Sequence, residues 1–561
     1  MVRITNLRPA SENDPRRGID RRTLLKGAAG AAMAGAAMGG GTGASAQSTP
    51  AASPTDETFI PSGVEGVPDA YLAPPEPFTS YDGVPGNGGT VRTFTISYNP
   101  PPPPRDENQY WQELEKRLGV TWEPIITPQP DYGARSATLI ASGDLPDIYY
   151  LNPGQSAAQQ WQAMAQGAFQ DLTPYLTGDA LQQFPNLATI PEFMWKNSMF
   201  QGKILGVPRP GTRNGNIPFY RGDWMESLGL AEPTNIDELK VVLAAMTNDD
   251  PDGNGQQDTW GQGRYQGGWE AFDNQLVHRM FKVPQGWRLN DDGTLTHQVE
   301  TEEFRQALET ITQLYADGLF HPDASGMTFS DALNAFIAGE TGFHCEGFGS
   351  FFGTGSVTFR MQEINPDAYT TGYIPRAADG NGLGVVNNGI GFFGMNAIPA
   401  SITDEERVLE LLRILDYLAS PFGSEEQIFL DYGIEGVHHE INENGARITN
   451  DLFRTEKGDL IYNMIGLNVY YYPENPELAL TVQELGKQAV EIGQDNPTWG
   501  LYSPRDVQEG PVLNQFATDT TLAIITGQDS MDRLDSAIEE WRSRGGDQIR
   551  QEFEEALQQQ G

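Results

Sequence analysis

Thr93-Phe-Thr-Ile-Ser-Tyr98 alternates apolar and polar side chains as a strand does. After a break at Pro100 to Pro104, Tyr110-Trp-Gln-Glu-Leu-Glu-Lys-Arg-Leu118 places its apolar residues at helical spacing and stops at Gly119. A second strand at Val120 to Ile126, a helix at Tyr132 to Ser142 and a strand at Asp147 to Leu151 continue the alternation. A parallel return requires a crossover long enough to hold a helix. This order therefore predicts an α/β fold, with a mostly parallel sheet covered by helices. Further on, helices at Glu303 to Gly318, Asp404 to Leu418 and Leu534 to Leu557 mix with short strands, Gly389 to Met395 among them. No internal repeat is visible.

Upstream, Asp20-Arg21-Arg22-Thr-Leu-Leu-Lys26 precedes a weakly hydrophobic Ala/Gly stretch that ends in Ala44-Ser45-Ala46. The twin arginine, the mild core and the A-x-A site resemble a twin-arginine signal, which exports folded proteins. A membrane span needs about 20 strongly apolar residues, and this core is Gly and Ala. Residues 1–46 are expected to be removed, giving a mature protein in the periplasm or outside the cell. No cysteine ends the signal, so anchoring through an acylated N-terminal Cys is not expected. Residues 47–88 are rich in Pro, Ser, Thr and Gly and read as a disordered linker.

A net charge of −40 excludes a nucleic-acid partner, because such a surface cannot neutralise phosphates, and argues equally against an anionic membrane. The chain is long enough for two or three lobes with real cores, and two are expected. Cys345 is alone, so no intrachain disulfide forms. Six histidines, His278, His297, His321, His344, His438 and His439, stand at no metal-ligand spacing. There is no G-x-S-x-G elbow, P-loop or G-x-G-x-x-G after a strand. A glycosidase would need two carboxylates at a fixed separation, and 76 Asp and Glu give no way to choose them.

One short motif carries ligand chemistry. Asp250-Pro-Asp252-Gly-Asn254-Gly-Gln256-Gln-Asp258 sets oxygen side chains at positions 1, 3, 5 and 9 of a loop, with Gly at 6 and the Gln256 carbonyl at 7. This is most of an EF-hand calcium loop, with Thr259 and Gly261 where a further carboxylate would stand. The alternative is an Asp/Asn/Gly turn closed by its own side-chain hydrogen bonds. Aromatic residues also cluster in loop-like segments, among them Tyr149 and Tyr150, Trp269, Phe348 and Tyr470 to Tyr472. Flat faces beside amides and charges suit a polyhydroxylated ligand, although most aromatics serve the core.

Asn108 to Gly119, Thr138-Leu-Ile-Ala-Ser-Gly-Asp-Leu-Pro-Asp-Ile148, Gly202-Lys-Ile-Leu-Gly-Val-Pro208, Arg221 to Leu230 and Phe336 to Phe343 together resemble the extracellular solute-binding proteins of carbohydrate ABC importers. The Asp-Pro-Asp-Gly-Asn-Gly loop resembles that of the alginate-binding branch, where it holds calcium. The chain departs from that branch in lacking a lipidation Cys and an acid at Thr259. The resemblance implies a type II periplasmic binding fold, two α/β lobes joined by a multi-crossing hinge. Residues 89–211 and 388–444 would form the first lobe, and 212–387 and 445–561 the second. It further implies ligand contacts from Tyr150, Asn152, Arg209, Glu346 and Phe348, with Tyr98 and Trp269 added by loop position. Structural calcium would sit on Asp250, Asp252, Asn254, Gln256 and Asp258. The expected partners are an oligosaccharide and a membrane permease, with the protein acting as a monomer and catalysing nothing. A secreted polysaccharide-degrading enzyme, or a binder of a non-sugar solute on the same scaffold, is the rival reading.

Overall fold

The computed structural model describes residues 58–152, 158–264, 267–273, 275–353, 355–443 and 445–560. The export signal expected at 1–46 lies outside them. Strands β3 (Thr90–Ser97), β4 (Thr121–Pro128), β5 (Ile148–Leu151), β6 (Gly206–Pro210) and β14 (Phe392–Ala397) form a five-stranded sheet in the order β4-β3-β5-β14-β6. β3 runs parallel to β4 and to β5, while β14 is antiparallel to both its neighbours. β3 reads as a strand because Val91, Phe94 and Ile96 are all fully buried. The helix Gln109–Leu118 covers the sheet with Tyr110, Leu114 and Leu118. Asn108 caps its start, accepting from the Trp111 N–H at 2.8 Å, and Gly119 ends it in the left-handed conformation.

A second, four-stranded sheet has the order β12-β7-β11-β8, from β12 (Thr370–Gly372), β7 (Asn216–Arg221), β11 (Thr341–Gly347) and β8 (Trp260–Gln262). Its core gathers Trp224, Leu243, Phe304, Ile311, Phe343 and Trp541. Two small antiparallel pairs lie outside the sheets, β9 (Trp287–Leu289) with β10 (Leu295–His297) and β15 (His439–Ile441) with β16 (Arg447–Thr449).

The chain passes from the first sheet to the second between Pro210 and Asn216 and returns between Asn387 and Phe392. These two passages lie side by side. The Gly211 N–H donates to the Gly391 carbonyl at 2.9 Å and the Gly389 N–H to that of Arg213 at 2.8 Å. A Cβ on Gly215 would lie 2.0 Å from the Asn387 carbonyl oxygen, so the two backbones meet only because this position is glycine. β13 (Val386–Asn387) and β18 (Gly493–Gln494) pair next to them.

Three expectations are corrected. Residues 445–467, expected in the second lobe, pack in the first: Phe453, Leu460, Ile461 and Ile465 share a core with Val91, Tyr110 and Trp122. The third passage comes later, where the Asn468 amide donates to the Pro210 carbonyl at 3.4 Å and the chain enters β17 (Tyr470–Tyr471). Of the linker expected as disordered at 47–88, residues 47–57 lie outside the described residues and 58–88 are built into the fold. β1 (Phe59–Ile60) and β2 (Ala70–Tyr71) pair with each other and with β17, and Val67 and Ala70 are buried. The helix expected from Leu534 to Leu557 is broken into Asp532–Trp541 and Asp547–Gln560, because Gly545 takes φ 138°. Among the described residues, no helix is long and apolar enough to cross a membrane.

Candidate functional site

The carboxyl ends of β3, β5 and β6 and the start of β14 share one edge of the first sheet, the edge at which open α/β sheets bind ligands. Just past β3, Tyr98 is 51% exposed, with its ring 5.8 Å from that of Tyr462. Its phenol is pushed up to about 12, mainly by burial of the hydroxyl end. The turn beneath it is held by Asp459, which accepts from the N–H groups of Tyr98 at 2.7 Å and Asn99 at 2.9 Å. Arg209, on β6, lays its guanidinium over the Tyr462 ring at 4.4 Å. Its Nε is buried without a hydrogen-bond partner, and among the described residues no carboxylate pairs with it. Phe393 adds an exposed face 6.5 Å from Tyr462. Asn152, at the end of β5, donates its N–H to Gln160 Oε1 at 2.9 Å and leaves its Nδ2 without a partner.

The remaining expected ligand residues fare differently. Tyr150 offers no face: it is fully buried, donates its hydroxyl to the Phe393 carbonyl and meets Tyr462 edge-on at 5.6 Å. It supports the rim from below. Phe348 is core, packed against Phe352 at 5.3 Å and Tyr470 at 6.4 Å, because the turn after β11 folds back onto the second sheet. Glu346 is half-buried and accepts from the N–H of Gly347, next to it in the chain, at 2.8 Å; burial raises its carboxyl. Trp269 is wedged edge-on between Phe304 and Phe516, each 6.2 Å away, and shows only a margin of its ring.

That margin opens on a run of linked cavities. The first, about 460 Å³, lies against the hinge passages and is lined by Trp269, Gln285, Asn387, Asn388 and Asn514. It shares Trp269, His297 and Asn514 with a second of about 250 Å³. The second shares Asp506, Gly510 and Phe553 with a third of about 280 Å³ that reaches Trp161 and Tyr502. Tyr502, from the second lobe's chain, meets Phe200 and Trp161 of the first at 5.4 and 6.5 Å, so both lobes bound the outer end. Burial holds the His297 imidazole down at about 3, so it is neutral at physiological pH. Tyr462, Phe393, Trp161 and Asn514 were not singled out from the sequence. The loop-borne aromatics were a signal for such residues, but only the tertiary fold separates rim from core.

In the Asp250–Asp258 loop, Asp250 adopts φ 50° and its two carboxylate oxygens accept from the N–H groups of Asn254 and Gly255 at 3.0 Å each. The Asn254 amide nitrogen donates to Asp252 at 2.9 Å and to both oxygens of Asp258 at 3.3 Å, and its oxygen accepts from the Gln256 N–H at 2.7 Å. Two carboxylates thus hold the Asn254 side-chain amide, and the third, Asp250, holds the backbone N–H groups of Asn254 and Gly255. Burial, together with Asp258 and Asp250 nearby, raises the Asp252 carboxyl. The donors are the hard oxygens that calcium takes. As it stands, though, the loop is closed by hydrogen bonds, and among the described residues no group of three or more His, Cys, Asp or Glu has metal-holding geometry. Thr259 is not a spare ligand, since its hydroxyl donates to the Met246 carbonyl at 3.0 Å. Gly261 cannot become an acid, because a Cβ there would lie 2.8 Å from Leu243.

Residues 109–427, more than half of the chain, match the family described as bacterial extracellular solute-binding protein. The chain belongs to that family. This solute-binding protein is 26% identical to the polygalacturonan/rhamnogalacturonan-binding protein YtcQ of Bacillus subtilis, over 83% of this chain and 91% of the relative. Its fold is that of the Streptococcus pneumoniae ABC-transporter substrate-binding protein FusA in complex with kestose, with TM-score 0.62, 18% identity, and coverage of 84% of this chain and 99% of that one. It is also that of the alginate-binding protein AlgQ2 without calcium ion, with TM-score 0.59, 18% identity and coverage of 86% and 100%. The solute-binding protein is therefore a type II periplasmic binding fold, two α/β lobes joined by a multi-crossing hinge.

Proposed function

We propose that this protein captures an oligosaccharide between its lobes and delivers it to the membrane permease of an ABC importer. The observation that carries this reading is the series of three neighbouring cavities, of about 460, 250 and 280 Å³, that share wall residues from the hinge to Trp161 and Tyr502 and are walled by aromatic margins and amides. Sugars present C–H faces that stack on aromatic rings and hydroxyls that bond amides. Relatives named for polygalacturonan, rhamnogalacturonan and fructooligosaccharide support it. Contacts from both lobes exist together only in the closed state, so the ligand shifts the hinge equilibrium by its differential affinity, and the closed shape is what a permease reads. The passages at 211–215, 387–391 and 467–469 are the hinge, with 89–211 and 388–467 as the first lobe.

The reading includes no catalysis. Asp506, whose carboxyl burial raises, lines the two outer cavities, and Glu270, held by Arg279, lines the hinge cavity, whereas a glycan hydrolase needs two carboxylates at a set separation across one glycosidic bond. The test is a panel of neutral and acidic tri- and tetrasaccharides scored by thermal shift and calorimetry, with reducing ends assayed in parallel. Binding without new reducing ends is expected; release of reducing ends would replace this reading with a glycan hydrolase.

Two finer points belong to it. Calcium is held structurally by Asp250, Asp252, Asn254, Asp258 and the Gln256 carbonyl, displacing the hydrogen bonds that Asn254 makes across the loop. Export runs through the twin-arginine route. Arg21→Lys with Arg22→Lys should leave the precursor in the cytoplasm, whereas normal export of that double variant would remove the argument.

A further inference from the structure

We infer that the cavity at the hinge is a subsite for a neutral sugar unit, one that brings hydroxyl groups and no charge. The inference rests on glycan capture and adds which chemical class of unit sits there. Its walls are amides, Gln285, Asn387, Asn388 and Asn514, beside the Trp269 margin and bare glycine backbone. Its carboxylate, Glu270, is already satisfied. The Arg279 guanidinium bonds one oxygen, and the Gln298 amide nitrogen, in the orientation that satisfies both its ends, reaches the other at 2.8 Å. His297 is neutral. Among the described residues, the cavity therefore presents no unbalanced charge. A uronate carboxylate placed here would lose its water beside Glu270 and gain no free cation, the least favourable exchange for a buried ion. A neutral unit loses only hydroxyl hydration, and amides replace it bond for bond.

Three acceptors in the wall, Gln275 Oε1, Gln285 Oε1 and Asn388 Oδ1, are buried without a donor. Gln285 donates its Nε2 to the Asn388 carbonyl at 3.3 Å, which fixes the amide's orientation and leaves its Oε1 buried with no donor. Buried acceptors without donors are uncommon, and a sugar hydroxyl is the donor that a small rotation of this side chain would meet. The wall segment is also held in unusual backbone, Phe272 at φ 83° and Gln275 at φ 51°, as is frequent at ligand clamps. Arg209, which among the described residues pairs with no carboxylate and whose Nε has no partner, stands apart on the rim of the other lobe. Acidic substituents are directed there and not to the hinge.

The test uses the mature chain and its Gln285→Met, Gln285→Lys and Asn514→Leu variants. Each is titrated calorimetrically with galacto-, manno-, xylo- and fructo-tetrasaccharides and with tetragalacturonate. We expect wild type to bind at least one neutral tetrasaccharide, and Gln285→Met and Asn514→Leu to weaken it tenfold or more. Gln285→Lys should shift the preference toward tetragalacturonate by a similar factor, which a merely structural residue would not do. Asn514 is exposed, so its variant keeps the test valid if Gln285→Met unfolds. Saccharide binding unchanged in Gln285→Met and Asn514→Leu, or binding of tetragalacturonate alone, overturns the neutral subsite while glycan capture stands. Binding of no saccharide by wild type overturns both.

Discussion

At the edge of the first sheet, Arg209 and Tyr98 converge on the ring of Tyr462. Arg209 was named through the resemblance, as part of the first crossing after Gly-Val-Pro opens β6, and it stands at the sheet edge with Nε unpaired. Tyr462 was not, although Arg209 and Tyr98 both converge on it, since its place depends on residues 445–467 packing with the first lobe. Tyr150 and Phe348 were misread for the opposite reason. An aromatic in a loop-like segment is as good a core residue as a binding one, and both are buried. Arg209→Ala should therefore weaken ligand binding by about 1–3 kcal/mol, the range for a hydrogen bond to a charged group together with its stacking. Calorimetry checks it, and unchanged affinity would remove Arg209 from the site. Asp252 allows a test with a sign. Its carboxyl is raised in the folded state, so metal-free protein binds its proton more tightly folded than unfolded, and this loop loses stability as pH rises through the carboxylate range. Calcium should remove that loss. The calcium-induced rise in Tm should be larger at pH 7 than at pH 4.5 and absent in Asp252→Ala, as read by calorimetric melting of chelator-stripped protein; no rise in wild type would leave the loop as a hydrogen-bonded turn.

At the scale of elements, the alternating strands and helices around β3 were legible because each obeys one period and one cap, as the Asn108 cap and the Gly119 stop of Gln109–Leu118 show. Residues 58–88 obey neither period. Their side chains serve two bodies in turn, which leaves no repeating apolar face and mimics the composition of a linker. The Gln483 amide donates to the carbonyls of Ile60 and Pro68 at 3.1 Å each, and β2 pairs with β17; farther on, the Phe78 carbonyl accepts from the Glu425 N–H at 2.8 Å. Ser80 then donates its N–H and hydroxyl to Glu426 at 2.9 and 2.8 Å, and Tyr81 packs on Tyr417 at 5.7 Å. The segment is a strap that joins the second lobe to the first. Glu426→Ala should cost about 1–3 kcal/mol in denaturant unfolding, the value of hydrogen bonds to a buried charged acceptor. A change below 0.5 kcal/mol, on the order expected of surface substitutions, would mean the strap is not held there.

For the whole molecule, the two sheets, the passages between them and the cavities beside them are the parts that the proposed capture would move from an open to a closed shape. Among the described residues the proposed hinge comprises two backbones in contact through Gly215, with β13 and β18 beside them, a later passage near Asn468 and the strap at 58–88. Such a junction bends at a few residues while each core stays rigid. Solute capture therefore stands or falls on whether ligand changes the shape. Small-angle scattering of the mature protein, with and without the tightest-binding saccharide of the panel, measures this directly. The account predicts a smaller radius of gyration on saturation, with circular dichroism unchanged. A saturated complex whose scattering curve superimposes on that of the free protein would contradict it.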